Sequence, residues 1–148
     1  MKYRIIFHEE RCIACGACSV ACMDQNDRDP GRGDKPFRRC VTEETGTGAE
    51  AKMTYRSVGC MHCDRPDCYY ACPQECIERD PETGFIYIDE TWCLGCGRCR
   101  RVCPVQAPVV DRDGKARKCD GCRQRVKAGL LPACVKVCPM KALELIKE

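Results

Sequence analysis

Short apolar bursts bounded by turn residues, not long helical stripes, set the character of this chain. Tyr3 to Phe7 is β-rich, and Ala142-Leu143-Glu144-Leu145-Ile146 is expected to pair with it and bring the two ends together. Asp80-Pro81-Glu82-Thr83-Gly84 is a turn whose returning strand is Phe85-Ile86-Tyr87-Ile88. Asp113-Gly114 turns a second hairpin between Val109-Val110 and residues 115–118. Helices have room over residues 66–72, 98–103, 120–128 and 133–138. Residues 24–59 are the least regular: 29–34 and 42–51 read as loops, and 37–41 with 53–58 as the arms of a β-ribbon. That segment is either a docking surface or a solvated connection. The pattern is α+β, in a chain short enough for one domain with a modest core.

Cysteine changes the picture. Eighteen of the 148 residues are cysteine, and sixteen of them form four groups of four. Cys12, Cys15, Cys18 and Cys22 read C-x₂-C-x₂-C-x₃-C, and Cys93, Cys96, Cys99 and Cys103 repeat that spacing. Cys60, Cys63, Cys68 and Cys72 read C-x₂-C-x₄-C-x₃-C, while Cys119, Cys122, Cys134 and Cys138 read C-x₂-C-x₁₁-C-x₃-C. The bacterial ferredoxin run is C-x₂-C-x₂-C-x₃-C-P, whose fourth cysteine serves the other cluster of a pair. Each x₃ spacing sets two cysteines about one helical turn apart, so the last thiol reaches across a helix toward a neighbouring cluster. Pro73, Pro104 and Pro139 follow three of the groups and end those helices, while Met23 follows Cys22.

Two other uses of so much cysteine are disfavoured. Residues 1–10 lack a signal-peptide pattern, so a cytoplasmic location is expected, where thiols stay reduced and a disulfide framework is unexpected. Structural zinc takes two separated cysteine pairs around one ion, whereas three cysteines in seven residues crowd a single ion and suit a cubane. No apolar run approaches the ~20 residues a membrane span needs. Formal charge is +3, and four clusters of net charge about −2 each, thiolates included, bring the loaded protein to about −5. Basic residues are interleaved with acidic ones, as in Arg28-Asp29 and Asp111-Arg112-Asp113, and form no nucleic-acid-binding face.

Cys40 and Cys76 fall outside the groups and read as buried, small apolar thiols, with a redox or alternative-ligand role as the other option. His62, between two cysteines, is placed to donate to a cluster sulfur or to reach a partner's cofactor. Trp92, beside Cys93, reads as packing that shields a cluster. No nucleophile–base pair or Gly-rich dinucleotide loop marks a catalytic site.

Taken together, Cys12-Ile13-Ala14-Cys15-Gly16-Ala17-Cys18, Cys60-Met61-His62-Cys63-Asp64 with Pro66-Asp67-Cys68, Leu94-Gly95-Cys96-Gly97-Arg98-Cys99 and Lys118-Cys119-Asp120-Gly121-Cys122 carry a resemblance. The chain resembles the four-cluster, ferredoxin-like electron-transfer subunits of molybdenum and tungsten oxidoreductases, of the dimethyl sulfoxide reductase type. In size it is similar to the small subunits of tungsten aldehyde oxidoreductases. The resemblance implies two nested bacterial-ferredoxin-like units, a double ferredoxin built around four [4Fe–4S] clusters. The outer unit would take residues from about 1–30 plus 112–148 and the inner unit about 55–111, with 24–59 a loop or ribbon insertion. It further implies that cluster A takes Cys12, Cys15, Cys18 and Cys138, and cluster B takes Cys22, Cys119, Cys122 and Cys134. Cluster C takes Cys60, Cys63, Cys68 and Cys103, and cluster D takes Cys72, Cys93, Cys96 and Cys99.

The expected function is a non-catalytic relay of single electrons between a molybdenum- or tungsten-pterin catalytic subunit and another redox partner, such as a further subunit or a ferredoxin, in an anaerobe. The alternatives are a free-standing polyferredoxin and, from another class, a zinc-stapled interaction module.

Overall fold

The computed structural model describes residues 2–148. From the N-terminus come β1 (Tyr3–Phe7), α1 (Ala17–Gln25), the ribbon β2 (Arg39–Thr45) and β3 (Lys52–Val58), then α2 (Asp67–Tyr70). The hairpin β4 (Ile77–Arg79) and β5 (Ile86–Ile88) precedes α3 (Arg98–Val102), and a second hairpin, β6 (Val109–Val110) and β7 (Ala116–Arg117), follows it. The C-terminal part supplies α4 (Arg123–Lys127), α5 (Ala133–Val137) and β8 (Leu143–Lys147). The described residues form four separate two-stranded sheets, β1 with β8, β2 with β3, β4 with β5 and β6 with β7.

This topology is nested. The outermost strands pair antiparallel with Ile5 opposite Leu145, and α1 packs on α5 between them. Inside that frame α2 packs on α3, beside the β4–β5 hairpin. A run of N–H and C=O bonds ties the layers: Tyr3 N–H donates to Thr83 O at 2.8 Å and His8 N–H to Ala142 O at 2.8 Å.

The apolar core is divided among three small groups, and cysteine belongs to all of them. One holds Cys76, Ile77, Ile86, Cys93, Cys99 and Ala116; another Cys18, Cys134, Val135 and Leu143; the third Cys22, Phe37 and Cys119. Other large apolar side chains, Ile13, Val20, Trp92 and Leu94, stay outside these groups and are exposed.

Ion pairs supply part of what the core lacks. Arg28, in the insertion, donates to Asp111 at 2.8 Å and lies over the Phe37 ring, which fastens the insertion to the β6–β7 hairpin. Asp80, 1% exposed, accepts from the N–H groups of Glu82 and Thr83 at 3.1 and 3.0 Å. It also meets Lys127 at 2.7 Å and Arg123 at 3.3 Å, joining the β4–β5 turn to α4. Burial alone would raise the Asp80 carboxyl, but Lys127, Thr83 and Arg123 outweigh it and hold the group well below the usual carboxylate range.

The elements expected from the sequence are present with four corrections. The longest helix, α1, covers residues 17–25, where the small residues of Ala17-Cys18-Ser19-Val20-Ala21 leave no apolar stripe to announce it. The ribbon runs on through Thr42–Thr45, because cross-strand pairs such as Thr42 with Tyr55 and Glu43 with Thr54 extend the ladder into what reads as loop. The α4 helix is confined to Arg123–Lys127, since Cys122 takes a left-handed conformation at φ 52°. Trp92 is 66% exposed and does not line the hollow that its neighbours Cys93 and Leu94 line.

Asp80→Asn removes the charge that Arg123 and Lys127 share, and a loss of about 2–3 kcal/mol is expected in chemical denaturation of the holoprotein. Because the carboxyl is depressed in the folded state, its contribution is present above the unfolded pKa of about 3.9 and fades only as pH falls through the lower folded value.

Candidate metal centres

Two hollows each gather cysteines from distant parts of the chain. Cys12, Cys15 and Cys18 line the first, together with Cys138 and the additional thiol of Cys40. Cys72, Cys93, Cys96 and Cys99 line the second, together with the additional thiol of Cys76. Gly16 and Gly97 stand at corresponding places in these loops, at φ 77° and 70°, and turn the backbone from the ligand loop into α1 and α3.

The remaining eight thiols form two further groups, recognisable by their mutual electrostatic influence. Cys119 and Cys122 both feel Cys22 and Cys134. Cys63 and Cys68 both feel Cys60 and Cys103. Cys60 also acts on Cys119, so these last two groups lie against each other.

Helices make these sets neighbours. The α1 helix carries Cys18 toward the first hollow and Cys22 toward the Cys119 set, and α5 carries Cys134 and ends at Cys138. The α2 helix likewise carries Cys68 and leads to Cys72, while α3 carries Cys99 and ends at Cys103. Backbone N–H groups point at the sulfurs: Ala116 to Cys93 at 3.3 Å, Gly121 to Cys119 at 3.4 Å, Ala107 to Cys103 at 3.4 Å and Ala142 to Cys138 at 3.2 Å. Such donors stabilise a charged sulfur.

Between the Cys119 and Cys60 sets, two side chains cross in opposite directions. Ile86 N–H donates to His62 Nδ1 at 3.0 Å, which leaves the ring proton on Nε2, 3.7 Å from Cys119 Sγ. Lys118 Nζ reaches Cys60 Sγ at 3.5 Å and is anchored on the carbonyls of Ile86 and Cys119. Burial, with Lys118, Arg38 and Arg79 nearby, holds His62 well below the ordinary imidazole range, so it is neutral and acts as a donor only through Nε2. Phe85 stacks against His62 at 4.7 Å, and a Cβ on Gly121 would come within 2.3 Å of the Phe85 ring, so only glycine fits there. The donor role expected of His62 toward a sulfur is the one its geometry supports. Lys118 and the buried Arg38 were not singled out by the sequence; the position of Lys118 beside Cys119 was the available signal.

Cys76 is buried as expected, but its Sγ lies 3.3 Å from Cys72 Sγ, on the wall of the hollow instead of in inert packing. Cys40 is only half-buried, because the ribbon that carries it opens onto the hollow, and its Sγ is 3.7 Å from Cys18 Sγ.

Burial governs the thiols. It pushes Cys68 and Cys122 up to about 11 and Cys119 well above the ordinary range, so these groups are protonated at neutral pH until a metal displaces the proton. Cys72 goes the other way. Burial opposes ionisation there, but the N–H and thiol of Cys76 and the N–H groups of Gln74 and Glu75 outweigh it.

Among the described residues no three His, Cys, Asp or Glu side chains converge as ligands of a single metal ion do. The thiols stand around hollows, and a multi-atom cluster with thiolates at its corners fits that arrangement. No helix among the described residues is long and apolar enough to cross a membrane.

Soft thiolate donors, grouped in fours along one small fold with no catalytic constellation, define an iron–sulfur protein. The protein belongs to the 4Fe-4S dicluster domain family, which matches residues 51–148. It is 35% identical over 152 residues to the B subunit of the anaerobic dimethyl sulfoxide reductase of Escherichia coli (strain K12), covering 97% of this chain and 72% of that one. The B subunit of the Haemophilus influenzae reductase is 36% identical over 154 residues, with 97% of this chain and 73% of the relative covered. The thiosulfate reductase electron transfer subunit PhsB of Salmonella typhi is 36% identical over 149 residues, covering 97% and 74%. The chain is thus a non-catalytic electron-transfer protein carrying four [4Fe–4S] clusters.

With cysteine in all three apolar groups, metal binding and folding are one event. Removing iron with a chelator is expected to abolish cooperative unfolding and most circular-dichroism structure, and Cys63→Ala is expected to lose iron and soluble yield together. A chelated protein that keeps full secondary structure contradicts this.

Proposed function

We propose that the chain is a double ferredoxin that relays single electrons along the order A, B, C, D between a molybdenum- or tungsten-pterin catalytic subunit and a second redox partner. The outer unit comprises about 1–30 and 112–148, the inner unit about 55–111, and 24–59 is an insertion. Cys12, Cys15, Cys18 and Cys138 hold cluster A; Cys22, Cys119, Cys122 and Cys134 hold B. Cys60, Cys63, Cys68 and Cys103 hold C; Cys72, Cys93, Cys96 and Cys99 hold D.

The single observation that carries the reading is the shared helices. Each pair of sets within a unit is bridged by two helices, each of which carries a thiol of one set and carries or leads to a thiol of the other, and the two units meet through Lys118 and His62. When bound, the clusters supply one-electron redox chemistry. The protein brings the two end sites to the surface, where Cys15 and Cys96 are exposed, and buries Cys22 and Cys119 between them. Ile13 and Leu94 occupy the same place in the two end loops and are 55% and 68% exposed, with Trp92 at 66% beside Leu94. These apolar residues beside an exposed thiol suit docking of a partner. The relatives named as reductase subunits support an oxidoreductase partner. Aldehyde oxidation at tungsten is the specific version of this proposal. The assigned location is the cytoplasm of an anaerobic cell, where thiolates stay reduced and available for cluster ligation.

Anaerobic purification of the native assembly, with iron, zinc, molybdenum and tungsten measured per copy of this chain, tests the reading. About sixteen irons from four cubanes, with molybdenum or tungsten in fixed ratio, is the expected result. Sixteen irons without either metal points to a free carrier, and zinc with little iron overturns the assignment. Leu94→Asp is expected to weaken partner co-purification at least tenfold while iron content stays unchanged.

A further inference from the structure

The described residues include two cationic side chains that are buried, Arg38 at 4% and Lys118 at 6% exposed, and both lie at the centre of the thiol array. Lys118 Nζ is 3.5 Å from Cys60 Sγ, in the set assigned to C. Arg38 bonds Ser57 O at 3.1 Å, leaves its Nε buried without a partner, and acts on Cys22, Cys119 and Cys134, three of the four thiols assigned to B. His62 Nε2 adds a hydrogen bond toward Cys119. The buried carboxylate among these residues, Asp80, is already paired with Lys127 and Arg123.

The end sites are furnished differently. At A, Cys18 Sγ is met by the Cys40 thiol at 3.7 Å and by the Ser57 hydroxyl at 3.4 Å, and Arg38 reaches that hydroxyl at 3.3 Å, so its charge acts on this sulfur only through an intervening uncharged group. At D, Cys72 Sγ is met by the Cys76 thiol at 3.3 Å, and the nearby Lys115 Nζ is spent on the Cys93 carbonyl at 2.8 Å.

We propose that Lys118, His62 and Arg38 make the two central sites the preferred resting place of electrons, so that the chain stores an electron pair midway between its ends. This rests on the cluster assignment given under the proposed function. An added electron raises negative charge on the ligand sulfurs, and hydrogen bonds from charged donors gain more from that charge than neutral ones do. Burial keeps water from screening the difference. Each central site takes up one electron from the redox partner, balanced by fixed positive charge with no proton required. The crossing of His62 and Lys118 makes the donation reciprocal: a residue of the C loop serves B, and a residue of the B loop serves C. Two adjacent one-electron sites match a partner that delivers or consumes electrons in pairs.

The test is an anaerobic redox titration of the holoprotein followed by electron paramagnetic resonance, on the wild type and on Lys118→Met, Lys118→Arg and His62→Phe. Two of four sites are expected to reduce first, with signals broadened by mutual spin coupling. Lys118→Met is expected to lower one of these two about tenfold in its reduction equilibrium, which is about 59 mV for one electron. Lys118→Arg keeps most of that potential, and His62→Phe lowers the other early site. Where Lys118→Met fails to retain iron, His62→Phe carries the same test. Early sites that do not move in any variant, or a shift that falls on the late-reducing pair, overturn the inference. Fewer than four reducible clusters in the wild type overturns instead the assignment on which it rests.

Discussion

Thiolate ligation of iron–sulfur clusters is the interaction on which the rest of this structure depends. The strands are two to seven residues long and the helices four to nine, lengths at which neither is stable in isolation. Each of the three buried apolar groups is completed by cysteine. A core of this kind closes only when metal occupies the hollows, because burial otherwise favours protonated thiols that have no strong partner.

From that constraint follow the features of the polypeptide around the sites. Left-handed glycines at 16 and 97 let the loop bend around a site before a helix begins. Backbone N–H groups of Ala116, Gly121 and Ala107 aim at the sulfurs of Cys93, Cys119 and Cys103, where they stabilise a thiolate. The ion pairs Arg28–Asp111 and Asp80–Lys127 hold the peripheral hairpins to the metal-bearing frame, work that a larger apolar core performs elsewhere.

Function uses the same geometry. Helices such as α1 carry one thiol, Cys18, toward one hollow and another, Cys22, toward the Cys119 group. What the protein controls is the surroundings of each sulfur: a hydroxyl and a thiol beside Cys18, a thiol beside Cys72, a lysine beside Cys60 and a neutral histidine beside Cys119.

Much of this was legible in the sequence, because cysteine spacing is a local constraint. Three thiols separated by two residues can only wrap a common centre, and the turn residues at 80–84 and 113–114 mark hairpins through local conformational preference. The length of α1 was not legible beyond the single turn that the Cys18–Cys22 spacing implies, since its small residues show no apolar stripe and pack against α5, and Trp92 beside Cys93 gave no sign that it would face outward. Which sets lie side by side was decided by tertiary structure alone. His62 and Cys119 are 57 positions apart and Lys118 and Cys60 are 58 apart. No local rule joins residues at that separation; only the packing of both segments against Ile86 brings them within hydrogen-bond reach.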